Sequence, residues 1–126
     1  MADFCTSTLT IPVIEDEWLI RQPIVDCLRG AGYKLLEAGS GEEAVAFLEA
    51  EPPVDIVFTD IRLGGRLDGW DVAAAFRRKD PTVGIMYTSG RMFLPPREAG
   101  GSLFFSKPCE PDAILKSCRI FGKTRT

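Results

Sequence analysis

Val54-Asp55-Ile56-Val57-Phe58-Thr59-Asp60 is the stretch whose reading decides the fold. The run Val54–Thr59 follows Pro52-Pro53, which closes the preceding helical pattern, and it leads directly to an acid. A short apolar run rich in β-branched and aromatic residues reads as a strand buried on both faces, as in parallel sheets. Working outward, three other runs end in the same way. Leu9–Ile14 leads to Glu15-Asp16, Val83–Tyr87 leads to Thr88, and Leu103–Phe105 leads one residue later to Lys107. Aligned in one sheet, such strands gather three carboxylates, a hydroxyl and an ammonium along one edge. That set suits a divalent cation and a phosphoryl group.

Helical patterns fill the intervals. Ile20, Ile24, Cys27 and Leu28 recur at helical spacing and stop at Gly30-Ala31-Gly32, after which Tyr33–Glu37 forms a short second strand. Ser40-Gly41-Glu42-Glu43 fits a capping box ahead of Ala44, Phe47 and Leu48. Asp68 can cap a helix carrying Val72, Ala75 and Phe76, with Asp71 in its first turn and Asp80-Pro81 beyond it. Ser102–Phe105 supplies a fifth strand, and Ile114, Cys118 and Phe121 mark the last helix. Alternating β and α units predict a parallel sheet covered on both faces, with ligands bound beyond the carboxyl ends of its strands. Two prolines conflict with this pattern: Pro12 removes a ladder hydrogen from a central strand, and Pro23 should kink the first helix or mark a later start.

Length and composition bound the rest. A chain of 126 residues, 45% hydrophobic and 26% charged, can bury one core. The expected organisation is a single domain over residues 10–121, an N-terminal extension of residues 1–9 and a C-terminal tail of residues 122–126. A net charge of −3 without a Lys/Arg block argues against direct nucleic-acid or anionic-membrane binding. No apolar stretch approaches the roughly 20 residues of a membrane helix, and the N-terminus lacks a signal-peptide pattern, so a cytoplasmic location is expected. The absence of histidine and of any C-x-x-C pair among Cys5, Cys27, Cys109 and Cys118 removes the usual zinc sets and every histidine-based triad. Cys27 and Cys118 read as small apolar fillers.

In their order and spacing, Val13-Ile14-Glu15-Asp16-Glu17, Asp55-Ile56-Val57-Phe58-Thr59-Asp60-Ile61-Arg62, Asp68-Gly69, Tyr87-Thr88-Ser89-Gly90 and Phe105-Ser106-Lys107-Pro108 resemble the receiver domain of two-component response regulators, over about Thr10 to Phe121. The resemblance implies an α/β, flavodoxin-like (βα)5 three-layer sandwich whose parallel five-stranded sheet has the order 2-1-3-4-5. It implies a bacterial signalling phosphoacceptor, not an enzyme beyond self-catalysed phosphorylation and dephosphorylation. Asp60 would take phosphate from a sensor histidine kinase or a histidine phosphotransfer protein, and the phosphorylated form would signal to a downstream protein partner. Mg²⁺ is the implied cofactor, bound by Asp16 and Asp60 directly, by the carbonyl of Arg62, and by Glu15 through water. Thr88 and Lys107 would engage the phosphoryl group, and Phe104 would move inward as Thr88 shifts.

The chemistry agrees with these roles. A carboxylate attacks phosphorus only when the incoming dianion is neutralised and held in line. Mg²⁺ favours octahedral oxygen sets and retains waters, so one or two carboxylates and a carbonyl suit it. Each residue also has a plainer reading: Thr88 as a strand end or helix cap, Lys107 and Arg62 as solvated cations, Phe104 as core. The resemblance also implies a cis peptide before Pro108, which would turn the lysine inward at a cost of about 0.5–1 kcal/mol.

The chain departs from the family pattern in two places. The loop Ile61-Arg62-Leu63-Gly64-Gly65-Arg66-Leu67 has glycine where proline is usual and one extra residue. Arg91–Gly100 contains Pro95-Pro96 and leaves room for at most a turn or two, so the chain is similar to short single-domain receivers with a reduced fourth helix. Met92, Phe93 and Leu94 either join the fifth strand and last helix in a partner surface or cover the core. Three rival functions fit the residues less well. A degenerate receiver that binds partners without phosphorylation lacks support, because every expected side chain is present. A small aspartyl-phosphate hydrolase like the haloacid dehalogenases wants an aspartate where Arg62 stands. An FMN binder would bring its phosphate against Glu15-Asp16-Glu17.

Overall fold

The computed structural model describes residues 8–50, 53–90 and 102–125. Elements follow the order β1 (Thr10–Ile14), α1 (Trp18–Gly30), β2 (Lys34–Ala38), α2 (Gly41–Ala50), β3 (Ile56–Asp60), α3 (Gly69–Lys79), β4 (Gly84–Ser89), β5 (Ser102–Ser106) and α4 (Pro111–Arg125). The five strands are parallel in the order β2-β1-β3-β4-β5. This is the flavodoxin-like three-layer arrangement, with four helices among the described residues. Segment 91–100, expected in place of a regular fourth helix, lies outside them, as does Cys5. The last helix continues to Arg125, so residues 122–125, expected as a tail, are helical.

The sheet divides the core into two layers. Val57, Ile85 and Tyr87 pack with Val72, Ala73 and Phe76 of α3, while Val13, Phe58 and Met86 pack with Val25 and Leu28 of α1 and Ile114 and Cys118 of α4. Every residue of β1, β3 and β4 is buried, whereas β2 and β5 at the edges are partly exposed. Burial pushes the Cys118 thiol up to about 12, as befits a filler in an apolar layer.

Both prolines are accommodated. Pro12 is in register with Leu36 of β2, and the ladder to β3 begins one residue later at Val13 and Phe58. Before that point Asp55 joins the strands, its N–H donating to Thr10 O at 2.9 Å and its carboxylate accepting the Thr10 N–H at 2.8 Å. The missing hydrogen falls between these two attachments. Pro23 lies inside α1, which neither starts late nor stops there. The acceptor that Pro23 leaves without a helical donor is the Leu19 carbonyl, four residues back in an exposed first turn open to water.

The helix ends are chemically marked. Gly32 takes φ +101°, and the N–H groups of Gly32 and Tyr33 donate to Arg29 O and Leu28 O, closing α1 in a Schellman arrangement. Asp68 and Asp71 exchange side-chain and backbone bonds at 2.9 Å each, a full capping box. At α2, Ser40 Oγ accepts from Glu43 N–H, but Glu43 reaches past the cap to accept the Gly39 N–H at 2.7 Å.

Beyond the Asp68 cap, Gly69 sits against the end of β3. Its N–H donates to Ile61 O at 2.8 Å, and a Cβ there would lie 2.3 Å from Asp60 O. Urea denaturation should therefore show Gly69→Ala costing about 1–3 kcal/mol through forced backbone displacement. Asp68→Ala, which loses only the cap, should cost about 1 kcal/mol. Equal or reversed costs would show that the loop yields freely.

Candidate functional site

The strands reach further than their apolar runs. Asp60 is the last residue of β3 and pairs with Thr88, which lies within β4 and pairs in turn with Phe105. Ile61 N–H donates to Thr88 O and Lys107 N–H to Ser89 O, so the ladder continues through the polar positions. Glu15 follows β1 directly, its N–H held by Ala38 O. Main-chain pairing therefore fixes the backbones of Glu15, Asp60, Thr88 and Lys107 at one edge of the sheet.

Their side chains converge. Carboxylate oxygens of Glu15, Asp16 and Asp60 lie within 4.8 Å of one another. Lys107 Nζ stands 2.6 Å from Glu15 Oε1 and 2.9 Å from Asp60 Oδ2. The peptide between Lys107 and Pro108 is cis. Glu15, Asp60 and Thr88 are buried, while Asp16 faces solvent. Arg62 is exposed, and its main-chain N–H approaches Asp60 Oδ1 at 3.3 Å. Phe104 departs from a core position. It is 43% exposed on edge strand β5, with its ring stacked on buried Tyr87 at 4.9 Å and 6.1 Å from Trp70.

The charges are out of balance. Burial raises the pKa of Glu15 and Asp60 above the ordinary carboxylate range, against the lowering effect of Lys107. Burial works to lower the Lys107 pKa, but the two carboxylates outweigh it and the net shift is upward. One ammonium holds its proton firmly yet cannot compensate three acids. Oxygen donors with residual negative charge, one of them open to solvent, fit a hard divalent cation such as Mg²⁺.

The loop after β3 closes the other side. Glu42 at the start of α2 accepts the Arg66 N–H at 2.9 Å, and a Cβ on Gly65 would lie 2.5 Å from that carboxylate. A Cβ on Gly64 would come within 3.5 Å of Asp16 Oδ2. The double glycine thus brings this loop close to two carboxylates, and the Arg66 N–H tethers it to Glu42. Sequence reasoning also missed Arg21 and Glu37. Arg21 donates to Glu15 O at 2.7 Å and to Glu37 Oε1 at 3.1 Å. An acid following the apolar pair Leu35-Leu36 in the second strand was the available signal.

The comparisons with known proteins agree with this geometry. A family model described as the response regulator receiver domain matches residues 11–119. The transcriptional regulatory protein PdtaR of Mycobacterium tuberculosis is 38% identical over 112 residues, covering 86% of this chain and 54% of PdtaR. The chain therefore spans about half the length of that relative. Sporulation initiation phosphotransferase F of Bacillus subtilis is 25% identical, over 88% of this chain and 91% of its own length. A solved response regulator receiver protein from Sinorhizobium medicae WSM419 superposes with a TM-score of 0.84 at 26% identity, covering 95% of this chain and 98% of its own.

The raised carboxyl pKa values carry a stability consequence. Between the unfolded values near 4 and the raised folded values, the folded chain holds protons that the unfolded chain has released. Stability of the metal-free protein should accordingly fall as pH rises through that window. Lys107 adds a dependence of the same sign at alkaline pH, where its contribution is lost as pH rises through its raised value. Asp60→Asn, which removes one buried charge, should raise the melting temperature at pH 7 and flatten the decline above pH 4. A lower melting temperature at pH 7 would show that pairing with Lys107 outweighs desolvation.

Proposed function

The chain belongs to the response regulator receiver domain family, and from that membership we propose that it is an Mg²⁺-dependent phosphoacceptor whose reactive group is Asp60. The observation that carries the reading is the convergence of Glu15, Asp16 and Asp60 with Lys107 bridging two of them. Asp16, Asp60 and the Arg62 carbonyl would hold the cation, with Glu15 acting through water. When bound, Mg²⁺ supplies positive charge to the phosphoryl oxygens.

The remaining work belongs to the side chains. An Asp60 carboxylate oxygen attacks phosphorus; the new O–P bond forms as the P–N bond of a phosphohistidine breaks, and the freed imidazole leaves. Lys107 neutralises phosphoryl charge, and Thr88 donates its hydroxyl to a phosphoryl oxygen. Phe104, stacked on the outer side of Tyr87, is the proposed mobile aromatic. Its half-exposed position leaves it free to move inward when Thr88 shifts.

Donor and output are proteins in this reading. A sensor histidine kinase or a histidine phosphotransfer protein presents the phosphohistidine, and a downstream protein partner reads the phosphorylated form; the setting is the bacterial cytoplasm. Exposed Trp18 and Leu19 at the start of α1 offer apolar contact area beside the site. So does the hollow lined by Ile20, Pro23, Ile24, Pro108, Cys109 and Pro111 next to Lys107. No helix among the described residues is long and apolar enough to cross a membrane.

Incubation with acetyl phosphate and Mg²⁺ should add about 80 Da to the intact mass of the wild type and nothing to Asp60→Asn. A wild type that gains no mass would favour a degenerate receiver that binds partners without phosphorylation. Mg²⁺ alone should raise the melting temperature, with about 2.7 kcal/mol of added stability at a hundredfold excess over Kd, and Asp16→Asn should reduce the effect. A melting temperature indifferent to Mg²⁺ in both proteins would remove the cation from the mechanism.

A further inference from the structure

Arg21 lies on α1 just behind the acidic pair, with a side chain only 16% exposed. One terminal nitrogen donates to the carbonyl of Glu15 at 2.7 Å, while Nε donates to Glu37 Oε1 at 3.1 Å. Glu37 is itself fixed on β2, accepting from Gln22 Nε2 at 2.9 Å and pairing with Arg29 at 3.7 Å. The main chain around Glu15 is thereby held at successive points. Glu15 N–H donates to Ala38 O at 3.1 Å, Glu15 O accepts from Arg21, and Glu17 N–H donates to Glu15 Oε2 at 3.1 Å.

We propose that Arg21, oriented by Glu37, is a positioning residue for the cation site. It fixes the peptide between Glu15 and Asp16 so that both carboxylates face Asp60 before a cation arrives. The proposal rests on the cation reading given above. Three like charges within 4.8 Å repel one another. Asp16, exposed on a turn, has the most freedom to swing away. A carbonyl clamped from below resists that swing. The pairing with Glu37 largely cancels the guanidinium's own charge, so its effect on a cation is geometric. A planar fork with fixed bond directions can hold the Glu15 carbonyl and the Glu37 carboxylate together; a lysine ammonium, a point charge on a flexible stem, cannot impose the same orientation. Groups that orient metal ligands in this way commonly govern affinity by 10–100-fold.

The test is an Mg²⁺ titration followed by backbone amide chemical shifts at residues 15–17, on the wild type, Arg21→Ala and Arg21→Lys, together with thermal melts without metal. Both variants should bind Mg²⁺ about tenfold more weakly than the wild type. At saturating Mg²⁺, their rates of phosphorylation by acetyl phosphate should stay within about twofold of the wild type, since no reacting atom touches Arg21. Arg21→Lys retains stem and charge, which keeps the test open where Arg21→Ala folds poorly. Unchanged affinity in the variants, even with lowered melting temperatures, would overturn the proposal and leave Arg21 a purely structural residue. Full recovery of affinity in Arg21→Lys would overturn it as well, by showing that charge and not orientation matters. A wild type that binds no Mg²⁺ would overturn the cation reading itself, and this inference with it.

Discussion

One ammonium stands between two buried carboxylates at the carboxyl edge of the sheet, and the rest of the structure is arranged to make that tolerable. Lys107 comes from the end of β5, Glu15 from the end of β1 and Asp60 from the end of β3, so a single cluster ties together the edge and the centre of the sheet. Desolvation opposes every charge in it, and at the two carboxylates it outweighs the lowering effect of Lys107, so their pKa values stay raised. A core built only for stability would not keep such a group. Perturbed acids converging on a partly open site are the arrangement expected where chemistry is done.

Around that cluster the backbone leaves little slack. Gly69 lets the start of α3 press against the end of β3, and Gly65 lets the site loop approach Glu42. The Arg21–Glu37 pair secures the first βα turn from β2. The Gly69 and Arg21 contacts act on the main chain of Asp60 and Glu15 rather than on their carboxylates. The carboxylates therefore keep oxygens available while their backbones are fixed, a form of preorganisation that lowers the reorganisation needed when charge arrives.

The aromatic trio Trp70, Tyr87 and Phe104 shows how position in the sheet decides a role. Tyr87 on central β4 is fully buried, whereas Phe104, its neighbour in register on β5, is 43% exposed and rests on it. Side-chain chemistry is nearly the same in the two residues. Their different burial follows from one lying inside the sheet and the other on its edge.

Much of this was legible in the sequence, because the signals involved are local. Apolar runs closed by polar residues located the strands, and the alternation of runs with helical spacing predicted a parallel sheet. Gly32 and the Asp68–Asp71 box marked helix ends through chemistry that acts over a few residues. The polar positions themselves pointed to a charged edge. Other features depended on partners distant in the chain and could not be read there. Asp55 makes Pro12 tolerable from 43 residues away, and Lys107 reaches Asp60 across 47. The Arg21–Glu37 clamp and the half-exposed stacking of Phe104 are of the same kind. Periodicity and capping chemistry are properties of neighbouring residues, and they fix which elements form and which residues end them. Which side chains meet at those ends, and which remain open to solvent, is set only when strand order and register bring remote segments together, since no local pattern encodes those distances.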